Sequence, residues 1–298
     1  MLDSQKPSLS SPITDLPYQL GIAVCYILVM ALTTLSIFNE YRHIDQGVES
    51  LARERGTVLF KLIELTRDWN AQHGGVYARI TEHNQPNPYL DHPQRDLTTT
   101  DGIRLTMINP AYMTRQIAEI AEKVDGVKFH ITSLKLIRPE NKADDWETES
   151  LALFNKGEIK ERLSLIEGDA GTVHRYMAPL YIKPACMQCH AKMGYQLGDI
   201  RGGISVTMPA ARTLNIREQQ RQRTLLFHGG AALIIATLLH FVVARTRRHL
   251  KNLHQLASQQ ELLIAERTHE LSVANTNLRM EVDERKHREN ELKISAAV

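Results

Sequence analysis

Two stretches of the chain, residues 16–39 and 224–244, contain no Asp, Glu, Lys or Arg. The first centres on GIAVCYILVMALTTLSIF and the second reads TLLFHGGAALIIATLLHFVVA. A helix needs about 20 mostly apolar residues to cross the hydrocarbon core of a bilayer, and both stretches reach that length. Buried core helices are the alternative reading. Length, freedom from charge and charged flanks favour two transmembrane helices. The first is read as an uncleaved anchor. Its leader has Lys6 against Asp3 and Asp15, the apolar run is long for a signal peptide, and no Ala-x-Ala site follows. The pattern therefore divides the chain into an N-terminal tail (1–15), a first span (16–39), an intervening segment (40–223), a second span (224–244) and a C-terminal segment (245–298).

Within 40–223 the texture changes several times. From Glu40 to Trp69 no Pro occurs, and Val48, Leu51, Leu59, Leu62, Ile63 and Thr66 recur near helical spacing. This predicts a helix that continues out of the membrane. HGGVYARITEHNQPNPYLDHP, rich in Gly, Asn and Pro, reads as strand and loop. Asn109-Pro110 predicts a capped helix from 110 to about 124, stopped by Asp125-Gly126. Met113, Ile117, Ile120 and Val124 share one face of it and are expected to point into the core. VKFHITSL, VHRYMAPLYI and GGISVTM suit strands, with a helix near 144–155 between the first two. The mixture predicts a small α/β or α+β sensor-type domain.

Residues 245–298 stay helical in pattern. Leu250, Ala257, Ile264, Leu271 and Leu278 recur every seven residues, as one seam of a coiled coil requires. The companion positions Leu253, Gln260, Arg267, Ala274 and Glu281 are poorer, with a single solvated helix as the alternative. A homodimer through the coiled coil is the expectation.

A net charge of +2 gives no sign of a nucleic-acid partner, and 43% hydrophobic residues against 23% charged exclude a disordered chain. Two spans put both termini on one side. Arg245, Arg247, Arg248 and Lys251 after the second span suggest a cytoplasmic C-terminus, although Arg217, Arg221 and Arg223 precede the same span.

The chain has three cysteines. Cys25 lies in the first span and reads as an inert packing residue. Cys186 and Cys189 stand in Cys186-Met187-Gln188-Cys189-His190, the C-x-x-C-H spacing of covalent c-type haem attachment. Each thiol adds to one haem vinyl group, and the adjacent imidazole becomes the proximal iron ligand. A zinc site would want a second Cys or His pair, a thioredoxin-like motif a strand-to-helix context, and a structural disulfide would close a very small loop. Covalent haem c is the cofactor expected. Because such haem is assembled outside the bacterial cytoplasm, the reading places 40–223 in the periplasm, both termini in the cytoplasm and the whole in the inner membrane. For the distal ligand Met113 comes first, as an inward thioether that would raise the haem potential. His73 comes second, and Met177, His130, His174 or an open position follow.

Residues from about Trp69 to Met208 resemble the PAS-like c-type haem domain family of bacterial membrane-bound sensors. The resemblance rests on HGGVYARITEHNQPNPYL, INPAYMTRQIAE, HITSLKLIRPENKADDWE, RYMAPL, CMQCH and GYQLGDIRGGISV, in that order. It implies a PAS-like α/β fold, covalent haem and a role in sensing redox state or a small gas. Cys186, Cys189 and His190 carry the family's attachment roles. Family members can supply a distal Cys near the start of the helix before the HITSL-like strand. Here Asn109, Pro110 and Met113 occupy that neighbourhood. The segment AERTHELSVANTNLRMEVDERKHRENELKISAAV is similar to the signalling helices that precede PAS, kinase or cyclic-di-GMP output domains. The resemblances imply a non-enzymatic receptor half. It would relay a periplasmic signal through the second span and the coiled coil to an output domain beyond Val298 or to a partner. A membrane-anchored electron-transfer cytochrome is the alternative, and a haem peroxidase, with His73 as distal group, is a third.

Overall fold

The structure, a computed structural model, describes residues 15–168 and 171–295; the side chains of 15–18, Gln188, Cys189, Lys192 and 291–295 lie outside that description. The chain divides into two compact units. One is Ile37–Leu226, and the other combines the segment up to Ser36 with the segment from Phe227 onward.

The first helix, α1 (Asp15–Gln72), has its lone proline in the first turn, where a missing N–H costs no helical hydrogen bond. Within the Ile37–Leu226 unit its buried positions are Ile44, Val48, Ala52, Gly56, Phe60, Ile63 and Asn70. This stripe differs from the expected one, because Leu51 and Leu62 are half exposed. The reason is steric. At Gly56 the backbone approaches the sheet so closely that an added Cβ would stand 2.5 Å from Cγ of Tyr176. The buried line therefore runs through the small residues Ala52 and Gly56 as well as through Phe60 and Ile63.

After α1 come β1 (Val76–Arg79), β2 (Asp96–Thr98) and β3 (Arg104–Ile108), a small antiparallel sheet of order β1-β3-β2. Helix α2 (Pro110–Asp125) begins as expected. The Asn109 side chain accepts from the Tyr112 N–H at 3.0 Å, Pro110 opens the first turn, and Gly126 closes the helix at φ 65°. Its expected inward face holds at Met113, half-buried, and at Ile117, which packs against the main core, but not at its C-terminal end. Ile120 and Val124 are 63% and 73% exposed, whereas Tyr112 and Thr114 are buried. The helix is held by its N-terminal half, where Tyr112 donates to Gln85 O at 2.6 Å and Gln116 donates to Asn84 at 2.9 Å. The last two turns stand clear of the core.

The main sheet contains β4 (Lys128–Thr132), β5 (Arg162–Gly168), β6 (Gly171–Tyr181) and β7 (Ile200–Pro209), all antiparallel in the order β4-β7-β6-β5. Period-two alternation gives β6 and β7 two loaded faces. Tyr176, Ala178, Ile204, Val206 and Met208 pack with Phe60 and Ile63 of α1. Met177 packs on the opposite face with Leu151 and Phe154 of α3 (Asp145–Asn155). The helix α3 starts with a capping box formed by Asp144 and Glu147. The architecture is thus mixed α and β, with a four-stranded antiparallel sheet between helices.

In the other unit, residues 19–36 of α1 and 227–290 of the last helix, α5 (Ala211–Ser295), present their apolar side chains outward, including Leu20, Ile27, Met30, Leu233 and Leu238. Both helices are long and apolar enough to cross a membrane, with mean hydropathies of 2.3 and 2.0 in their most apolar windows. The seam residues Leu250, Ile264, Leu271 and Leu278 are exposed on α5.

Candidate functional site

The loop between β6 and β7 carries the C-x-x-C-H motif. Backbone hydrogen bonds from Ile182 N to Asp199 O (2.8 Å) and from Gly198 N to Ile182 O (3.0 Å) close its base. Lys183, three residues before Cys186, reaches α1 and donates to Glu64 at 2.9 Å and Asp68 at 2.5 Å. Pro184 starts a tight turn ending at Cys186, and the single-turn helix α4 (Met187–His190) follows. Positions 186 and 189 are therefore about one helical turn apart along the backbone. Gly194, at φ 78°, reverses the chain after the next turn. Cys186 is a partly buried free thiol. Cys189 lies on α4, but its side chain is outside the described residues.

His190 is the most informative side chain. Its Nδ1 is buried with no hydrogen-bond partner. Its ring meets Tyr195 edge-on, with centroids 6.1 Å apart. Burial, then the nearby charges of Arg201 and Arg67, push the imidazole down to about 4. The ring is neutral at physiological pH, which is the form that ligates a metal.

Arg67 and Arg201 come from opposite ends of the domain's sequence. Arg67 lies on α1 and donates to Pro110 O (3.2 Å) and Thr114 Oγ1 (3.1 Å) on α2. Burial lowers its pKa, and its charge couples to Cys186 and to Arg201. Arg201 lies on β7 and donates to Ser133 Oγ, to Lys135 O at 3.0 Å and to Tyr195 Oη at 3.4 Å. Its guanidinium also stacks over Tyr195, 5.2 Å from the ring centroid. Arg67 thus has the motif's Cys186 and the first turns of α2 as common neighbours.

Met113 stands in those first turns, half-buried, with its sulfur 3.6 Å from the Asn70 amide nitrogen. Asn70 is fully buried and donates to Ile108 O at 3.0 Å, while its Oδ1 has no partner. His73 is exposed at the end of α1, with Nδ1 2.7 Å from Trp69 O and its ring 4.6 Å from that of Trp69. No contact among the described residues joins His73 to Cys186 or His190. Met177 is core beside Leu151 and Phe154. His174 is buried with Nε2 2.8 Å from Thr213 Oγ1. Cys25 is exposed among the apolar residues of the other unit.

His130 belongs to a second polar cluster. Glu147, wholly buried, accepts from His130 Nδ1 (2.9 Å), Ser205 Oγ (2.5 Å) and Arg175 (2.9 Å), and from the Asp144 N–H at 3.2 Å. Burial alone would raise the Glu147 carboxyl, but the hydrogen bonds from His130 and Ser205 outweigh it and hold the group below its ordinary value. The same hydrogen bond raises His130.

Arg67, Tyr195, Arg201 and Glu147 were not among the candidates drawn from sequence. The available signal for Arg67 was its position, four residues after Ile63 and three before Asn70, on the inward stripe of α1. A charged residue on an apolar stripe needs a reason. For Glu147 the signal was Asp144-x-x-Glu147, which marks a helix start but not burial.

Among solved structures, the crystal structure of the cyanobacterial heme-protein Tll0287 is similar at 19% identity over 52% of this chain and 94% of that one, with a TM-score of 0.35. No curated protein matches the sequence. A family model described as Tll0287-like matches residues 45–209, more than half of the chain, and takes in the whole main sheet, α2, α3 and the C-x-x-C-H loop. The chain belongs to the Tll0287-like family, in agreement with the haem-domain resemblance read from its motifs.

Proposed function

We propose that residues 40–223 form a PAS-like periplasmic sensor domain that carries one covalent c-type haem on Cys186, Cys189 and His190. One observation carries the reading: an imidazole that follows C-x-x-C directly, is neutral, and has a buried ring nitrogen without a partner. A buried polar atom is nearly always hydrogen-bonded or bound to a ligand. The residues present therefore fit a haem. That Tll0287 is itself described as a heme-protein supports the assignment. When bound, the haem supplies one-electron redox chemistry and an axial position for a second ligand. The chain's own part is to orient His190, through Tyr195, and to anchor the motif to α1, through Lys183 with Glu64 and Asp68. On the distal side Met113 is preferred, because Asn70 already holds its sulfur and Arg67 ties its helix to the motif's surroundings. His73 is the second candidate.

The domain is anchored by two inner-membrane spans. Charge-free helices with their Leu, Ile and Phe side chains turned outward suit a lipid surface and not water. α5 begins two residues after β7 and runs as one helix through the second apolar block. In this reading it relays haem redox state or gas binding to a cytoplasmic coiled-coil homodimer, and from there to an output domain or partner. The chain itself is a receptor and not an enzyme.

Pyridine haemochrome spectra and intact mass test the centre of the proposal. The wild type is expected to carry one covalent haem and the Cys186→Ala/Cys189→Ala variant none; full haem content in the variant refutes the attachment. Oxidised and reduced spectra of Met113→Ala and His73→Ala then choose the distal ligand, and unchanged low-spin spectra in both reject both. An electron-carrier role is the rival, and it has no use for a seam on α5. Ile264→Cys is expected to crosslink between chains to a different extent above and below the haem midpoint, whereas equal crosslinking favours the carrier.

A further inference from the structure

The surroundings of His190 hold a charge problem. Two guanidiniums, Arg67 and Arg201, act on each other and on the same imidazole. Like charges brought together in a partly desolvated site repel unless an anion joins them, and around Arg67 the charges of Asp68 and Glu64 act in the opposite sense. Neither arginine has an ion pair among the described residues. Every hydrogen-bond acceptor of Arg67 is neutral (Pro110 O and Thr114 Oγ1), and so is every acceptor of Arg201 (Ser133 Oγ, Lys135 O and Tyr195 Oη). The nearest acids on α1, Glu64 and Asp68, are both bound to Lys183. In addition, Nε of Arg201 is buried with no partner at all. Several other arginines of the same unit are matched. Arg53 pairs with Glu161, Arg175 with Asp144 and Glu147, and Arg221 with Asp45.

We infer that Arg67 and Arg201 form an anion pocket that receives the propionate carboxylates of the haem, an inference that rests on the haem assignment above. The chemistry matches in kind and in number. A guanidinium presents paired N–H donors that fit a carboxylate, and such charge-assisted contacts are the strong ones. Haem carries two carboxylates, and the pocket offers two guanidiniums. The pairing neutralises both arginines, gives Arg201 Nε a possible acceptor, and fixes the cofactor from α1 and β7 while the thioethers fix it from the loop. The guanidiniums in turn offset the negative charge that the propionates place near the iron, which favours the reduced haem, because it carries one positive charge fewer than the oxidised form.

The test uses the full-length haem-loaded chain in detergent, with Arg67→Gln, Arg201→Gln, the double variant, Arg201→Lys, and Arg162→Gln as control. Arg162 pairs with Glu149 and lies over Trp146 on the α3 side of the sheet. Covalent haem per chain is measured first, then the midpoint potential by redox titration, and then the propionate bending band by resonance Raman. Each Gln variant is expected to keep its haem, to lower the midpoint and to shift the propionate band. At fixed potential the ratio of reduced to oxidised haem is expected to fall about tenfold in the double variant, equivalent to about 59 mV for a one-electron couple. Arg201→Lys recovers most of that loss, and Arg162→Gln changes nothing. A wild type without covalent haem refutes the haem assignment itself. Haem retained with an unmoved midpoint and propionate band in both single variants refutes the anion pocket alone, and leaves the arginines as ties between elements. The single variants each keep one guanidinium, so they decide the question even if the double variant does not fold.

Discussion

Replacing Glu147 by Ala removes a carboxylate that is wholly buried, the one such acid among the described residues, from the centre of four partners. Losing one partner of a buried ion pair costs about 3–5 kcal/mol, because the charge left behind stays desolvated. Here the loss is partly cushioned. Arg175 keeps Asp144 at 2.5 Å and the face of Trp146 at 4.7 Å, and His130 keeps Glu140 O at 3.1 Å. Ser205 Oγ and the Asp144 N–H lose an acceptor outright, and the reciprocal half of the α3 capping box goes with them. The lower end of the range, about 3 kcal/mol, is therefore expected. In a unit of this size that corresponds to a fall of about 6–12 °C in Tm. Trp146 opens α3 beside the cluster, so its fluorescence reports the transition directly in urea or thermal unfolding of the detergent-solubilised chain. The pH dependence carries a second signature. The folded pKa of Glu147 is depressed, so its contribution is complete above its ordinary value of 4.5 and is lost as pH falls through the folded value. That of His130 is raised, so its contribution is complete below 6.5 and is lost as pH rises through the folded value. The difference between wild type and Glu147→Ala is accordingly largest between pH 4.5 and 6.5. A difference below about 1 kcal/mol, or one that does not vary with pH, refutes this account of the cluster.

Two further outcomes follow from the packing. Gly56→Ala places a methyl 2.5–2.9 Å from the Tyr176 side chain, so α1 must move off the sheet. A loss of about 2–3 kcal/mol is expected in urea unfolding, with partial recovery when Tyr176→Leu is added; no loss shows that the approach of α1 is looser than described. His174 is pushed down by burial and by the charges of Arg217 and Arg55, with Thr213 Oγ1 as its hydrogen-bond partner. Its contribution is present above 6.5 and is lost as pH falls through the lower folded value, so His174→Gln is expected to flatten the fall in Tm as pH is lowered below 6.5. Parallel Tm profiles for the two proteins exclude His174 as an acid-sensitive group.

What the sequence determined by itself is local. The two charge-free blocks are set by length and composition. The start and stop of α2 follow from Asn109, Pro110 and Gly126, the start of α3 from Asp144, and the C-x-x-C-H turn from five consecutive residues. Caps, turns and attachment spacing act within one or two helical turns, so no distant residue alters them. The strands of the main sheet were legible as runs. Their order β4-β7-β6-β5 was not, because pairing joins residues far apart in the chain, such as His130 with Ser205. Tertiary structure alone decided which helix faces were used. α1 meets the sheet at Gly56 beside Phe60 and Ile63, since a close approach at that point selects the absence of a side chain, and α2 leaves Ile120 and Val124 exposed while Tyr112, Thr114 and Ile117 face inward. The site divides in the same way. Cys186, Cys189 and His190 announce themselves by spacing, whereas Arg67 and Arg201, 134 positions apart in number, are brought together by the packing of α1 against the sheet that contains β7. Two positive charges meet only when the chain folds, and that meeting makes the loop's surroundings ready for an anion.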